Sequence, residues 1–200
     1  MSPGRTLSWD WFPGTIPENV VVDETAYVET TFSFRFFRST QPRGVEYGRA
    51  ASTYLGTMFD VGPKGRVTLG EYALVHGARI ICDSEITIGD YALISWNVVL
   101  MDTYRVPASA ARRREELKWV AGREPRIASA SVESKPIHIE RNVWIGFDAC
   151  VLPGVTVGEG AIVGARSVVT SNVPCFTIAA GNPARIIREL TIEERERHAD

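Results

Sequence analysis

Proton transfer near neutral pH is the work of imidazole, and the chain carries three histidines, His76, His138 and His198. His198 stands third from the C-terminus, where an ordinary surface role is expected. His76 directly follows Val75, and His138 lies between Ile137 and Ile139. On a strand whose aliphatic side chains turn inward, both imidazoles then point outward. Two readings of His76 stand: a general base or ligand contact, or a hydrogen-bonded turn residue. For His138 the alternatives are a contact between copies and plain surface. The cysteines Cys82, Cys150 and Cys175 are odd in number and widely spaced, so neither a disulfide framework nor a zinc pattern is readable, and buried thiols are expected.

These side chains need a scaffold, and composition bounds it. The chain has 200 residues, 44% hydrophobic and 23% charged, with a formal charge of −2. It reads as one domain over residues 1–200, large enough to bury a core. A near-neutral balance without a basic stripe gives no footprint for nucleic acid, Arg112, Arg113 and Arg114 being only a short local cluster. The N-terminal MSPGRTLSWDWFPG lacks the pattern of a signal peptide, and no stretch approaches a membrane span in length. A cytoplasmic protein without a membrane partner is expected.

A period of six dominates the sequence. Aliphatic residues return at Ile139, Ile145, Val151, Val157, Val163 and Val169, each preceded by two positions by a small or β-branched residue: Ile137, Val143, Ala149, Val155, Ala161 and Ser167. A second array runs through Leu69, Val75 and Ile81, slips by one residue at Ile86–Thr87, and resumes at Ile88, Ile94 and Leu100, with Arg79 breaking the small-residue rule. Fainter hexads occur at Ile16, Val22 and Val28 and at Tyr47 and Thr53. A helix would repeat at three and four residues and a half-buried strand at two. A short strand plus a tight turn repeats at six, and three such units close one coil of a parallel β-helix. The coils are expected over 15–102 and 137–180, and their inward aliphatics are core, with no function to be read from them.

Two segments break the register, Phe34–Gly44 and the longer Asp102–Pro136. Residues 103–136 read as an inserted arm, in which ASAARRREELKWVAG has helix-forming composition with Ser109 as its cap. This helix reads either as a solvated element or as a flap over a neighbour's site. Beyond the last coil, Asn182 as N-cap with Pro183 at the first helical position, and then the capping box Thr191-Ile-Glu-Glu, predict two short helices over 182–200.

The run PIHIERNVWIGFDACVLPGVTVGEGAIVGARSVVTSNVPCFTIAAGNPARIIREL, Pro136 to Leu190, closely resembles the maltose, galactoside and xenobiotic O-acetyltransferases of the hexapeptide-repeat acyltransferase family. That resemblance, and not the period, implies a left-handed parallel β-helix. It also implies a homotrimer with acetyl-CoA lying between adjacent prisms. Trp144 matches the family's active-site Trp, and Gly146, Ala165, Thr170, Arg185 and Arg188 match positions along the coenzyme groove, where an arginine fork suits the coenzyme's phosphates. The family's catalytic His follows the coil that ends near Leu100. Here the chain reads LMDTYRVPASA, and hexad counting sets Arg105 at that place with Tyr104 beside it. Arginine does not deprotonate, and a tyrosine would need strong activation to act as a base.

Hexad counting also sets His76 where the sugar acetyltransferases carry an acceptor-binding Asn, which makes it the candidate catalytic residue, with Asp102, Tyr104, Arg105 and Trp144 around the acceptor. The histidine spacing does not reproduce that of the zinc-binding γ-class carbonic anhydrases, which share the fold, and no metal is expected. The expected activity is acetyl or acyl transfer from acetyl-CoA to a hydroxyl or amine of a small acceptor such as a sugar. The alternative is a catalytically inactive trimer that binds a small molecule or serves as a scaffold.

Overall fold

The structure is a computed structural model that describes residues 5–54, 56–124 and 132–196. It is mostly β, with three parallel sheets that the chain visits in turn. The first coil supplies β1 (Val20–Val22) and β2 (Tyr27–Val28), and a 3-10 turn over Thr31–Phe34 takes the third side. The second coil is β3 (Val45–Tyr47), β4 (Ser52–Tyr54) and β5 (Met58–Val61). The third is β6 (Arg66–Leu69), β7 (Leu74–His76) and β8 (Arg79–Cys82), and the fourth β9 (Glu85–Ile88), β10 (Leu93–Ile94) and β11 (Val99–Met101). Helix α1 (Ala110–Ala121) then leaves on the arm, after which come β12 (Ile137–Ile139), β13 (Trp144–Ile145) and β14 (Cys150–Val151), and β15 (Thr156–Val157), β16 (Ile162–Val163) and β17 (Val168–Val169).

The first face stacks as β1-β3-β6-β9-β12-β15 and the third as β17-β14-β11-β8-β5. The second holds β2, β4, β7, β10, β13 and β16, extended at one end by β18 (Thr177–Gly181) and β19 (Ala184–Glu189). Successive coils pair in parallel, as in Ile94↔Ile145 and Val151↔Val169. Each hexad therefore contributes one strand to one face, and its aliphatic side chain stacks on the equivalent residue of the next coil. Ile80, Ile94, Leu100, Ile145, Val151 and Val163 are all fully buried.

The register of the early coils differs from the sequence reading at one corner. Ile80, not Ile81, pairs with Leu100 and fills the core, and Ala78, not Arg79, is the small buried residue before it. The chain loses one residue at Gly77, where φ is +51°, and gains two at Asp83–Ser84. The single slip expected at Ile86–Thr87 is thus the sum of two shifts that nearly cancel. Arg79 lies on the outer side of the third face.

A second correction concerns the tail. Residues 184–189 are the antiparallel partner of β18, so Asn182–Pro183 is a hairpin turn and not a helix start. The reason lies in backbone satisfaction: β18 continues the second face, and without β19 its outer row of N–H and C=O groups would be unpaired. The helix expected after it does form as α2 (Ile192–Glu196), with Thr191 and Glu194 exchanging the hydrogen bonds of the capping box. The 103–136 arm is closed at its neck by Lys135 N–H donating to the Asp102 carbonyl. Ser109 caps α1 by accepting from Arg112 N–H, and no residue of that helix is buried. Part of the arm and His198 lie outside the described residues. Among the described residues no helix is long and apolar enough to cross a membrane.

Asp10 ties the N-terminal segment to the first coil. It accepts from Phe12 N–H and from the N–H and hydroxyl of Thr31, and from the hydroxyl of Thr30 at 2.7 Å. Burial opposes its charge, but these donors outweigh burial and lower its pKa from 3.8 to about 2. A depressed carboxylate stabilises the fold above its unfolded value, and that contribution is lost as pH falls from 3.8 toward about 2. Trp9 and Trp11 fluorescence should therefore show an acid step in this window as the segment loosens. Asp10→Asn should remove the step, and an undiminished step would assign it to another group.

Candidate active site

Sheet pairing decides which of the candidate residues can meet. His76 ends β7, and Trp144 opens β13; β10 lies between them, so they share the second face two strand spacings apart and offset by two residues along the strands. The strand between supplies the link. Trp144 Nε1–H donates to Ser95 Oγ at 3.2 Å, and the next residue, Trp96, lies with its ring centroid 5.2 Å from that of His76. From the strand on the other side, Tyr54 stacks on the imidazole at 5.3 Å with the planes 20° apart. His76 Nδ1 is buried and has no hydrogen-bond partner among the described residues. Tyr54, Ser95 and Trp96 were absent from the sequence-based site. Their signal was available: Tyr54 and Ser95 follow the inward Thr53 and Ile94 just as His76 follows Val75.

A different corner of the prism receives Asp102 and Arg105. Asp102 is fully buried, and its carboxylate accepts from the N–H groups of Asp83, Ser84 and Glu85 at 2.8, 2.7 and 3.1 Å. Burial pushes its pKa up, although the backbone donors oppose the shift. Its work is to hold the two extra residues of the turn between β8 and β9, so it is withdrawn from the expected acceptor-binding set.

Arg105 lies instead against the outer side of its own prism. Its guanidinium forks onto Asp83 at 3.0 and 2.7 Å and donates to the Asp60 carboxylate and carbonyl at 2.5 and 2.8 Å. Burial disfavours its charge, but the two carboxylates outweigh that and raise its pKa further. The residue at the place of the family's base is an ion-pair anchor. Tyr104 beside it is exposed.

The expected groove residues gather at the far end. A Cβ at Gly146 would lie 2.7 Å from Ala165 N, so only glycine lets the backbone of the next coil pass, and the corner residues Gly146 and Ala165 are in direct contact. Thr170 is exposed at the end of β17, and its neighbours Val169 and Ser171 line a cleft together with Asn172, Ala184, Arg185 and Ile186. Arg185 is exposed there and bonds only the Ala184 carbonyl among the described residues. Arg188 is engaged instead, forked onto Glu194 at 2.7 and 2.8 Å. His138 lies on the first face with its Nδ1 2.9 Å from Thr87 Oγ1. Among the described residues no group of three or more His, Cys, Asp or Glu is placed to hold a metal ion.

Known proteins share this architecture. Residues 136–171 match the family described as bacterial transferase hexapeptide, six repeats. The galactoside O-acetyltransferase of Escherichia coli (strain K12) is 48% identical over 65 residues, 32% of this chain and 31% of its own length. The alignments span only 28–31% of the curated relatives' length. Among solved structures, a hexapeptide-repeat acetyltransferase from Vibrio cholerae O1 biovar eltor, complexed with acetyl coenzyme A, superposes with a TM-score of 0.57 at 26% identity, covering 72% of this chain and 71% of that one. A galactoside acetyltransferase in complex with coenzyme A gives 0.58 at 28% identity, covering 89% and 68%. The resemblance to the hexapeptide-repeat acyltransferases therefore stands.

Arg105→Ala should destabilise the chain by about 1–2 kcal/mol in denaturant unfolding, because Asp83 loses its fork while Asp60 keeps only the longer contacts to Arg38 and Arg79, at 3.5 and 3.8 Å. A double-mutant cycle with Asp83→Asn should show strong coupling; additive losses would mean that the fork contributes nothing.

Proposed function

We propose that this chain is an acyl-CoA-dependent transferase, moving an acetyl group from acetyl-CoA to a hydroxyl or amine of a small acceptor such as a sugar. The observation that carries the reading is the 136–190 segment. It contains the residues 136–171 that match the bacterial transferase hexapeptide family, and on it stand the Gly146–Ala165 corner, Thr170 and the cleft lined by Arg185, where the coenzyme would lie. The 200 residues act as one domain, wound as a left-handed parallel β-helix and working in the cytoplasm as a homotrimer.

The placement of the side chains supports a shared site. His76 and Trp144 are on the second face, whereas Tyr104 is where the chain leaves the third, so a site that uses both takes them from two copies. In this reading the enzyme supplies mainly positioning, with the acceptor attacking the thioester directly. Arg185 pairs with a phosphate of the coenzyme, Trp144 lines the reacting end, and His76 is the base or acceptor contact. The arm carrying α1 reaches over the neighbouring copy. A second reading, a trimer that binds without transfer, draws its support from one feature: Arg105 stands where the family carries its base.

Titration with acetyl-CoA should give micromolar binding to a species three times the 22.1 kDa chain mass. Arg185→Ala should weaken binding about tenfold, as expected for one lost charge-assisted phosphate contact. Arg188→Ala should cost less, because Glu194 already holds that side chain. No binding at millimolar ligand would leave the non-catalytic reading.

A further inference from the structure

His76 Nδ1 is an exception to a strong rule. Buried polar atoms are nearly always paired, and an unpaired one costs about 1–3 kcal/mol. The imidazole around this orphan atom is fixed by rings from the strands on either side, Tyr54 from β4 and Trp96 from the end of β10. Tyr54 is itself backed by Tyr27, at 5.0 Å, so that side of the clamp is continuous with the first coil. Trp96 is not backed in this way. It is 52% exposed, and His76 is its only ring neighbour among the described residues. It precedes Asn97, whose φ of +56° sets the corner, and follows Ser95, which holds Trp144. Of the two rings that clamp the imidazole, Trp96 is the more exposed and the less backed, and it stands between the two residues that mark the candidate site.

We propose that His76 Nδ1 takes the hydrogen of the acyl acceptor, and that Trp96 is the residue that positions the imidazole and gates access to it. The proposal rests on the acyl-transfer reading and adds the working atom and its gate. As the acceptor oxygen or nitrogen bonds to the thioester carbonyl carbon, its proton passes to Nδ1 and the C–S bond breaks. The proton then leaves Nδ1 for the departing thiolate. Tyr54 keeps the ring plane, and Trp96 excludes water until an acceptor moves it aside. With water as the acceptor the products are acetate and the coenzyme thiol.

Water is thus a probe that needs no knowledge of the natural acceptor. In the full chain, thiol release from acetyl-CoA is followed for the wild type, Trp96→Ala, Trp96→Phe, His76→Gln and the double variant Trp96→Ala/His76→Gln. Carbethoxylation of His76 by diethyl pyrocarbonate is measured in parallel without ligand. Trp96→Ala should raise both His76 modification and thiol release by about fivefold. Trp96→Phe, which keeps a ring on the imidazole, should raise neither. The double variant should release thiol no faster than His76→Gln alone.

A Trp96→Ala chain with unchanged His76 modification overturns the gate. A gain in thiol release that survives His76→Gln overturns the role of Nδ1. Failure of the wild type to bind acetyl-CoA removes the acyl-transfer reading and this proposal with it. Loss of the His76 dependence in a chain that does bind removes this proposal alone.

Discussion

Much of this fold depends on turning the chain through left-handed backbone at its regular corners. Tyr72, Tyr91 and Asn142 hold φ near +57° between the first and second faces, and Asn97, Asp148 and Arg166 do so between the second and third. Such conformations cost a residue with a Cβ about 1–2 kcal/mol. Stacking between coils offsets part of that cost. Tyr72 lies on Tyr91 at 5.2 Å with Arg49 above it, and Arg166 lies over Phe147. Because these regular corners turn the same way, strands from successive coils fall into parallel register, and a side chain one step past an inward residue lands on a predictable outer ridge.

Against that regularity the exceptions stand out. The third coil is one residue short at Gly77 and two long at Asp83–Ser84. The long turn needs an internal acceptor, which Asp102 supplies from the next coil, and the chain leaves the prism directly afterwards. Arg105 then closes on Asp60 and Asp83, fastening the root of the arm to the second and third coils. A residue held by two carboxylates of its own chain anchors the departure of the arm.

The second face shows the complementary use of the same lattice. One ring per coil climbs it, from Trp9 over Tyr27 and Tyr54 to His76 and Trp96, with centroids 5.0–5.9 Å apart. The spacing is near the separation of neighbouring strands, so the stack follows from the parallel register. The stack ends beside Ser95 and Trp144, the point at which the side chains stop covering one another.

Much of this was legible in the residue order. The six-residue period gave the strands, their inward residues and the interruption by the arm, because one coil repeats one local conformation and leaves its mark at a fixed spacing. Ser109 and Thr191 announced their helices through caps that act within three residues. What the order alone misplaced depends on partners far away in sequence. The 184–189 segment became a strand because β18 offered an unpaired edge; Asp102 turned inward because the turn at Asp83–Glu85 offered donors, and Arg105 folded back because that turn and β5 each offered a carboxylate. Only the tertiary structure could set Trp96 against His76 and leave Nδ1 unpaired, since that contact joins adjacent coils and no local periodicity records how two outer side chains meet across them.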